Sequence, residues 1–326
     1  MVHNSGAGMR LWYVIGASEP HAFYKSTVVL VKSTQIALYL SAALLASGVA
    51  AAAVNRHLHE FLMVAGLLAF YHAVMYVQLP GFINATPHIY ATLALLALFI
   101  AAMAASSCYG YAAYAPYAVL HLILYLRGVW GKPTYYPNII TAAGLLLLPF
   151  ANSHLEAVLT FPLASVYSLM YRIDASRARR RFTAPGALSI AATYVAAFAA
   201  VKAGYLWAVV APSAALTIAA PPRIGDKYGV AALLFRWLVA LGPFGTHLVY
   251  MAFAVIMSAL CVPYFIGAIL FRQVPSYGPE LVLTALLSYI LRNLGILAPS
   301  ALFVLAIIGY AVIRSIREKY YPPTPP

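Results

Sequence analysis

Residues 55–82 read NRHLHEFLMVAGLLAFYHAVMYVQLPGF, and the rest of the chain is best interpreted outward from them. His57, His59 and Glu60 open the stretch, and His72 lies well inside its apolar part. Its length and composition predict a membrane-spanning helix, which needs about 20 mostly apolar residues. Lipid offers no water to solvate polar groups, so ionisable side chains at membrane depth usually serve a function. Because histidine is the commonest metal ligand, the stretch predicts one wall of a metal or haem site.

The composition indicates an integral membrane protein. Of the 326 residues, 64% are hydrophobic and 8% are charged, whereas a soluble domain has about 25% charged residues. A formal net charge of +13 would suggest a nucleic-acid partner in a soluble protein. Here the Lys and Arg residues stand between apolar runs, where loops face anionic lipid. We therefore expect the lipid bilayer as the partner of this chain, and no nucleic acid.

Apolar runs separated by Pro, Gly or charged residues predict an all-α fold, a polytopic transmembrane helix bundle of about 12 spans. The predicted helices cover residues 27–54, 57–79, 87–105, 109–127, 136–151, 154–173, 187–202, 205–219, 228–241, 246–271, 279–296 and 299–315. The second is expected to stop at Pro80. The spacing of the histidine-bearing helix starts agrees with three four-helix arcs. Residues 1–26 and 316–326 are predicted to flank a single transmembrane domain, 27–315.

The distribution of positive charge predicts the sides of the membrane. With twelve spans, the two ends of the chain and every second loop hold most of the Lys and Arg residues, including the RARRR run at 177–181. The other loops carry only Arg56, Lys202 and Arg292. Cytoplasmic loops have such an excess of positive charge. The sequence therefore predicts a multi-pass protein of the cell membrane with cytoplasmic N- and C-termini.

This topology places four histidines near the outer face. His57 and His59 begin the second helix, His154 begins the sixth and His247 begins the tenth. Four histidines at one level on three helices predict a haem or metal role, with Glu60 beside the first two as a further metal ligand. At ~100° per residue, His57 and Glu60 share a helix face and His59 points away from it. The two histidines then serve different neighbours, unless the start of the helix is frayed.

His72 and His121 are predicted to form a second set at greater depth. His72 lies 13 residues beyond His59, which places it ~20 Å deeper at ~1.5 Å per residue. His121, on the fourth helix, is expected at a similar depth, and two histidines on facing helices can hold a haem. Arg292 is costly in lipid unless it is paired. A haem propionate is one candidate partner for Arg292, and snorkelling to the interface is the alternative.

The predicted second helix resembles the H-x-H-E-x-x-x-x-G helix of the NnrS family. The matching residues are His57, His59, Glu60 and Pro80, with Gly66 near the family's glycine. Two later regions, YYPNIITAAGLLLLPFAN with SVYSLMYRIDASRARRRF and LVALGPFGTHLVYMAF, resemble further family segments through Asn138, Arg172, Pro243 and His247. The resemblance implies a polytopic membrane protein that binds haem b, with copper as a further candidate. It also implies a role in nitric oxide stress or denitrification and a small gaseous or nitrogen-oxide ligand.

A weaker similarity, to subunit I of haem-copper oxidases, also implies twelve helices in three arcs. Such an oxidase needs two adjacent histidines on one helix, and no His-His pair occurs here, which argues against oxidase activity. Two other functions stay open. A transporter would use His57, Glu60, Glu156 and His247 as proton or ion sites, with an arginine as an anion site. A quinone-linked haem b membrane anchor would pass electrons from a redox partner that these patterns do not identify. No catalytic residue is assigned.

Overall fold

The computed structural model describes residues 20–83, 89–126, 136–177, 181–221 and 275–320, with a few isolated positions between 223 and 273. Over these ranges the chain is helical, apart from turns and one isolated backbone bridge. The prediction of an all-α fold is confirmed for this part of the chain. The α-helices are α1 (Pro20–Ala51), α2 (Arg56–Ile83), α3 (Ile89–Tyr109), α4 (Ala115–Leu126), α5 (Asn138–Leu147), α6 (His154–Leu159), α7 (Phe161–Arg177), α8 (Ala184–Lys202), α9 (Val210–Ala219), α10 (Glu280–Asn293) and α11 (Leu297–Arg317).

Several of these helices have the length and composition of membrane spans. Within the described ranges, five helical stretches qualify: Val28–Ala51, Arg56–Met75, Ile89–Leu124, Ala184–Lys202 and Leu297–Arg317. Two shorter apolar stretches, Asn138–Phe150 and Leu206–Ala219, accompany them. The predicted ninth and tenth helices, 228–241 and 246–271, lie almost entirely outside the described residues. Apolar helices fit a membrane protein, and the full count of twelve spans remains a prediction.

The helices α1 and α2 form an antiparallel hairpin with a close crossing. Asn55 precedes α2 and caps it, since its Oδ1 accepts a hydrogen bond from the backbone N–H of Leu58 over 3.1 Å. Inside the hairpin, the hydroxyl of Ser41 donates to the carbonyl of Gly66 over 2.8 Å. A Cβ atom at Gly66 would lie 2.8 Å from Cγ of Leu45. Small residues let membrane helices approach in this way, so Gly66 sets the separation of the two helices.

Two of the helix boundaries that differ from their predicted positions involve a proline. The helix α1 begins at Pro20 rather than near residue 27, because proline is well suited to the first helical position. The prediction that the second helix stops at Pro80 is wrong, since α2 continues to Ile83. A proline removes one backbone hydrogen-bond donor, and helices in membranes tolerate this loss.

The predicted sixth helix, 154–173, is interrupted in the structure. It divides at Thr160 into α6 and α7. Pro162 follows the break and cannot donate a backbone hydrogen bond to the preceding turn. The hydroxyl of Tyr194, on α8, lies 2.6 Å from the carbonyl of Leu159 and 2.7 Å from that of Thr160. A buried side chain on another helix therefore satisfies the carbonyls at the break.

The core lies where α2, α4, α6 and α7 come together. The largest fully buried side chains in the described residues are all aromatic: Tyr71, Tyr114, Tyr117, Tyr167, Tyr171, Tyr194, Phe99 and Phe161. His72 from α2 and His121 from α4 are fully buried in the same region. The core is therefore an aromatic cluster that contains two imidazoles.

Candidate functional site

His72 and His121, called here the histidine pair, meet inside the aromatic core. Their ring centroids are 6.3 Å apart and their planes are nearly perpendicular, at 78°. Both side chains have no exposed surface. The structure thus brings together the two histidines that sequence spacing places at a similar depth on neighbouring helices. Their role as cofactor ligands remains a prediction.

Tyr117 joins the two members of the histidine pair. Its hydroxyl lies 3.0 Å from Nδ1 of His72 and 2.9 Å from Nδ1 of His121. Tyr117 and His121 share α4 and are four residues apart, which places them on one helix face. Both hydrogen bonds use Nδ1, so a metal bound at either histidine would be held through Nε2. Metal-binding histidines are commonly held in this manner through their second nitrogen.

The number of protons on Tyr117 determines the tautomers of the pair. The hydroxyl carries one proton, so with both rings neutral it donates to Nδ1 of one histidine and accepts from Nδ1–H of the other. The histidine that donates through Nδ1–H presents a lone pair at Nε2. The histidine that accepts at Nδ1 carries its proton at Nε2. The pair therefore offers one metal-binding nitrogen and one hydrogen-bond donor.

Aromatic rings surround the pair closely. His72 stacks on Phe99 with centroids 4.5 Å apart and planes only 4° from parallel. Phe161 packs edge-on against His121 at 5.7 Å. The donor chemistry fits a metal, since imidazole nitrogen binds both iron and copper. The packing fits a single ion more closely than a porphyrin, because a porphyrin at the pair requires these neighbouring rings to separate.

The turn between α3 and α4 positions the tyrosines next to the pair. Gly110 has φ of 61°, a left-handed conformation that ends α3 at Tyr109. Only glycine adopts this conformation without a steric penalty. A 3₁₀ turn, Gly110–Tyr114, then leads into α4. This turn presents Tyr111 and Tyr114 toward the core region before Tyr117 on α4.

A cleft of about 650 Å³ opens beside this turn. We call it the cleft and define it by its lining residues, Glu60, Phe61, Ser106, Tyr109, Gly110, Tyr111, Ala112, Pro149, Ala151, Asn152, Ser153, His154 and Leu155. Its lining comes from α2, from the end of α3 with the following turn, and from the start of α6. The cleft thus combines one carboxylate, one imidazole and several aromatic rings on one surface.

His154 connects the cleft to the tyrosines. It begins α6, where Ser153 caps the helix by accepting a hydrogen bond from the N–H of Glu156 over 3.2 Å. Nδ1 of His154 lies 2.6 Å from the hydroxyl of Tyr111, which donates to it when the neutral imidazole carries its proton at Nε2. Partial burial lowers the pKa of His154, the Glu60 carboxylate raises it, and His57 lowers it. The imidazole is therefore disposed to remain neutral and to take part in a hydrogen bond with the Tyr111 hydroxyl.

The structure separates the two histidines at the start of α2. His57 is exposed and acts electrostatically on His154, as does Glu60. His59 turns to the other side, where its Nδ1 lies 2.8 Å from the carbonyl of Gly48 on α1. The two histidines serve different neighbours because successive residues are rotated by ~100° about the helix axis.

The predicted metal ligands do not converge within the described part of the chain. Among its residues, no three His, Cys, Asp or Glu side chains form a group that could hold a metal ion. His247 lies outside the described residues. Arg292 lies half-buried in the last turn of α10 and is not among the residues that line the cleft. The metal role of His57, His59, Glu60 and His247, and the cofactor role of Arg292, stay predictions.

Two ion pairs stand at the edge of the cleft. Arg56 donates to the Glu60 carboxylate over 3.0 Å, and Arg56 is largely exposed. Lys202 lies 3.4 Å from the carboxylate of Glu156 and also donates to the carbonyl of Phe150 over 2.6 Å. An exposed pair contributes up to about 1 kcal/mol. Each acid at the start of α2 and α6 is thus balanced by a nearby base.

Two further residues of the family resemblance are adjacent in the structure. Asn138, at the start of α5, is buried, and its side-chain oxygen accepts a hydrogen bond from the guanidinium of Arg172 on α7. The guanidinium also lies 6.0 Å from the ring centroid of Phe182. The pair joins α5 to α7.

Tyr111 and Tyr117 are the site residues that sequence patterns do not single out. Tyrosines are common in this chain, with 25 in all, so their identity alone carries little information. The signal that could have identified them is their spacing, since Tyr111, Tyr114 and Tyr117 recur every third residue before His121. Such spacing places side chains near one face of a helix.

Comparison with known proteins adds no further constraint. No protein-family model, curated protein or solved structure matches this chain.

Proposed function

We propose that this chain is a membrane protein that binds a redox-active metal at the histidine pair, either in haem b or as a copper ion. The observation that carries the proposal is the contact of two fully buried histidines with one tyrosine hydroxyl. Buried polar groups in lipid are costly and are retained where they serve a function. The link to nitric oxide or nitrogen-oxide handling comes from the NnrS resemblance and forms part of the same proposal.

The tautomers of the pair support different roles for its two members. The histidine with a lone pair at Nε2 would hold the metal, which would supply one-electron chemistry and bind a small gas. The histidine with a proton at Nε2 would donate a hydrogen bond to a ligand bound there. The hydrogen bonds of Tyr117 keep the two histidines in different tautomers, and the surrounding aromatic side chains exclude water.

The test is an optical spectrum of the purified protein, oxidised and reduced with dithionite, combined with elemental analysis for iron and copper. We expect bound metal in the wild type. One of the two variants His72→Gln and His121→Gln, the one that lacks the metal-binding histidine, should contain no metal. The second of these variants should keep the metal and bind nitric oxide more weakly. His59→Gln is the matched control, since His59 faces α1, and it should behave like the wild type.

The result that overturns the proposal is a protein that contains neither iron nor copper. Equal metal content in the wild type and both glutamine variants overturns the assignment to the histidine pair. Loss of metal in His59→Gln alone would instead move the site to the start of α2, where sequence analysis also predicts metal ligands.

The cleft favours a second candidate, a proton-coupled transporter. Glu60 and His154 line an opening of about 650 Å³, and tyrosines lead from it toward the histidine pair. In this alternative the buried imidazoles carry protons instead of a metal. Proton uptake into liposomes containing the metal-free protein, abolished by His154→Gln, would support transport, and a metal-containing protein without proton flux would exclude it.

We also propose the finer topology that the charge distribution predicts, with about twelve spans in three arcs and both termini in the cytoplasm. Single cysteines introduced at Ala112 and Ser176 test it by labelling from each side of sealed vesicles. Ala112 follows α3 beside the cleft and should react from outside. Ser176 precedes the RARRR run and should react from the cytoplasmic side, and the reverse pattern overturns the topology.

A further inference from the structure

Three tyrosines connect the cleft to the histidine pair. Tyr111, Tyr114 and Tyr117 recur every third residue from the 3₁₀ turn into α4. The rings of Tyr111 and Tyr114 stack with centroids 6.3 Å apart, and those of Tyr114 and Tyr117 meet edge-on at 6.4 Å. Tyr111 bonds His154 in the cleft, and Tyr117 bonds both members of the pair. Aromatic contacts therefore run without interruption from the cleft to the pair.

Tyr111 and Tyr117, at the two ends of this series, each form a hydrogen bond with an imidazole nitrogen, whereas Tyr114 between them has a different neighbour. Tyr111 is 2.6 Å from Nδ1 of His154, and Tyr117 is 3.0 and 2.9 Å from Nδ1 of the paired histidines. The polar neighbour of the Tyr114 hydroxyl is Ser106 instead. A phenol loses an electron more easily when a neighbouring base takes its proton, because no charged phenol radical forms. Imidazole nitrogen is such a base, and a serine hydroxyl is a poor one.

We propose that Tyr111 and Tyr117 are redox-active tyrosines that exchange one electron across the ring of Tyr114, so that the cleft and the histidine pair are electrically connected. The inference rests on the proposed function, since it assigns an electron path to the proposed metal site. It assigns no role to the metal itself, and every step occurs on tyrosines and histidines of this chain.

The steps balance in electrons and protons. A one-electron oxidant in the cleft, a trivalent metal complex, takes an electron from Tyr111, whose phenol proton moves to Nδ1 of His154. Tyr117 then gives an electron through the ring of Tyr114 to the Tyr111 radical, which regains its proton from His154. The proton of Tyr117 moves to the paired histidine nitrogen that accepts its hydrogen bond. The products are a reduced metal complex, a neutral Tyr117 radical and one protonated imidazole.

A second pair of buried tyrosines provides a control for the chemistry. Tyr167 and Tyr194 also lie 6.4 Å apart and are fully buried. The hydroxyl of Tyr167 pairs with Ser213, and that of Tyr194 donates to the carbonyls of Leu159 and Thr160. These partners are not bases of imidazole strength. This pair therefore matches Tyr117 in burial and the three tyrosines in ring contact, and it differs in that the described hydrogen bonds of its hydroxyls involve no histidine.

The experiment is flash photolysis of the purified full-length protein with ruthenium tris(bipyridine) and a sacrificial electron acceptor, followed by electron paramagnetic resonance. Ascorbate removes radicals on exposed tyrosines, so a signal that resists ascorbate reports a buried radical. We expect a resistant tyrosyl signal in the wild type, in Tyr114→Phe, which keeps the ring, and in Tyr167→Phe. The resistant signal should be lost in Tyr111→Phe, Tyr117→Phe and Tyr114→Leu.

A resistant signal that persists in Tyr111→Phe or Tyr117→Phe overturns the proposal, and so does its absence from the wild type. These two variants each remove one oxygen atom, so the test remains decisive if Tyr114→Leu does not fold. Elemental analysis of the same samples distinguishes the two proposals. A protein that shows the resistant radical and contains no iron or copper refutes the metal site and retains the tyrosine path.

Discussion

Replacement of Tyr117 by phenylalanine is the most direct test of the histidine pair. The change removes one oxygen atom and the two hydrogen bonds that it forms, at 3.0 Å with His72 and 2.9 Å with His121. Tyr117 is fully buried, so water does not replace the lost partner. Each such bond contributes about 0.5–1.5 kcal/mol, and we expect the free energy of unfolding to fall by about 1–3 kcal/mol.

The same substitution should weaken metal binding. Tyr117 holds both rings through Nδ1 and so determines which Nε2 atom carries a lone pair. Loss of a group that orients a metal-binding histidine typically lowers metal affinity by about 10–100-fold. Unfolding by sodium dodecyl sulfate in mixed micelles, followed by circular dichroism, measures the stability. Metal titration followed by absorbance measures the affinity.

Tyr167→Phe is the matched control for both measurements. It removes a single buried hydrogen bond, the 2.9 Å contact with Ser213, away from the histidine pair. We expect a loss of about 0.5–1.5 kcal/mol and unchanged metal affinity. The reasoning is refuted if Tyr117→Phe matches the wild type in stability and affinity, or if both variants lower metal affinity equally.

Two further predictions concern packing and pH. Gly144→Ala places Cβ against that of Ala164 and 3.1 Å from Cα of Phe161, so it should lower the free energy of unfolding in mixed micelles by about 1–3 kcal/mol. Gly309→Ala is the control, because its Cβ meets nothing within 4 Å, and it should raise the free energy of unfolding by up to about 1 kcal/mol. Equal changes in stability for the two variants would contradict the packing account. Burial lowers the pKa of His154 below its usual value of 6.5. Around and below pH 6.5 the unfolded state therefore binds more protons than the folded state, and the free energy of unfolding falls as the pH drops. His154→Gln should flatten this dependence between about pH 5 and 8, and an unchanged slope would contradict it.

Helix boundaries were predictable to within a few residues where neighbouring charged residues or glycines mark the end of an apolar run. The sequence analysis places the last predicted helix at 299–315, and α11 spans Leu297–Arg317. It fails at Pro20, Pro80 and Pro162, because a proline is compatible with a helix start, a continuing helix or a break. The surrounding structure selects among these outcomes. At Pro162, for example, Tyr194 supports the break by bonding two carbonyls from a different helix.

The candidate site was predictable in part. Counting residues along helices places His72 and His121 at a similar depth, because the rise per residue is constant. Helical rotation also separates His59 from His57 and Glu60. The partners of these residues were not predictable in the same way. Tyr117 and the carbonyl of Gly48 are ordinary residues whose importance lies only in what they contact.

The amino-acid sequence alone was enough to predict apolar helices suited to a membrane, which agree with the all-helical structure of the described residues, and to predict a similar depth for His72 and His121. These properties follow from hydropathy and from the regular geometry of a single helix. Only the tertiary structure decided that His72 and His121 share the hydroxyl of Tyr117, and that Tyr111 meets His154 beside a cleft. Such contacts depend on how helices rotate and pack against segments distant in the chain, and a one-dimensional pattern does not encode that packing.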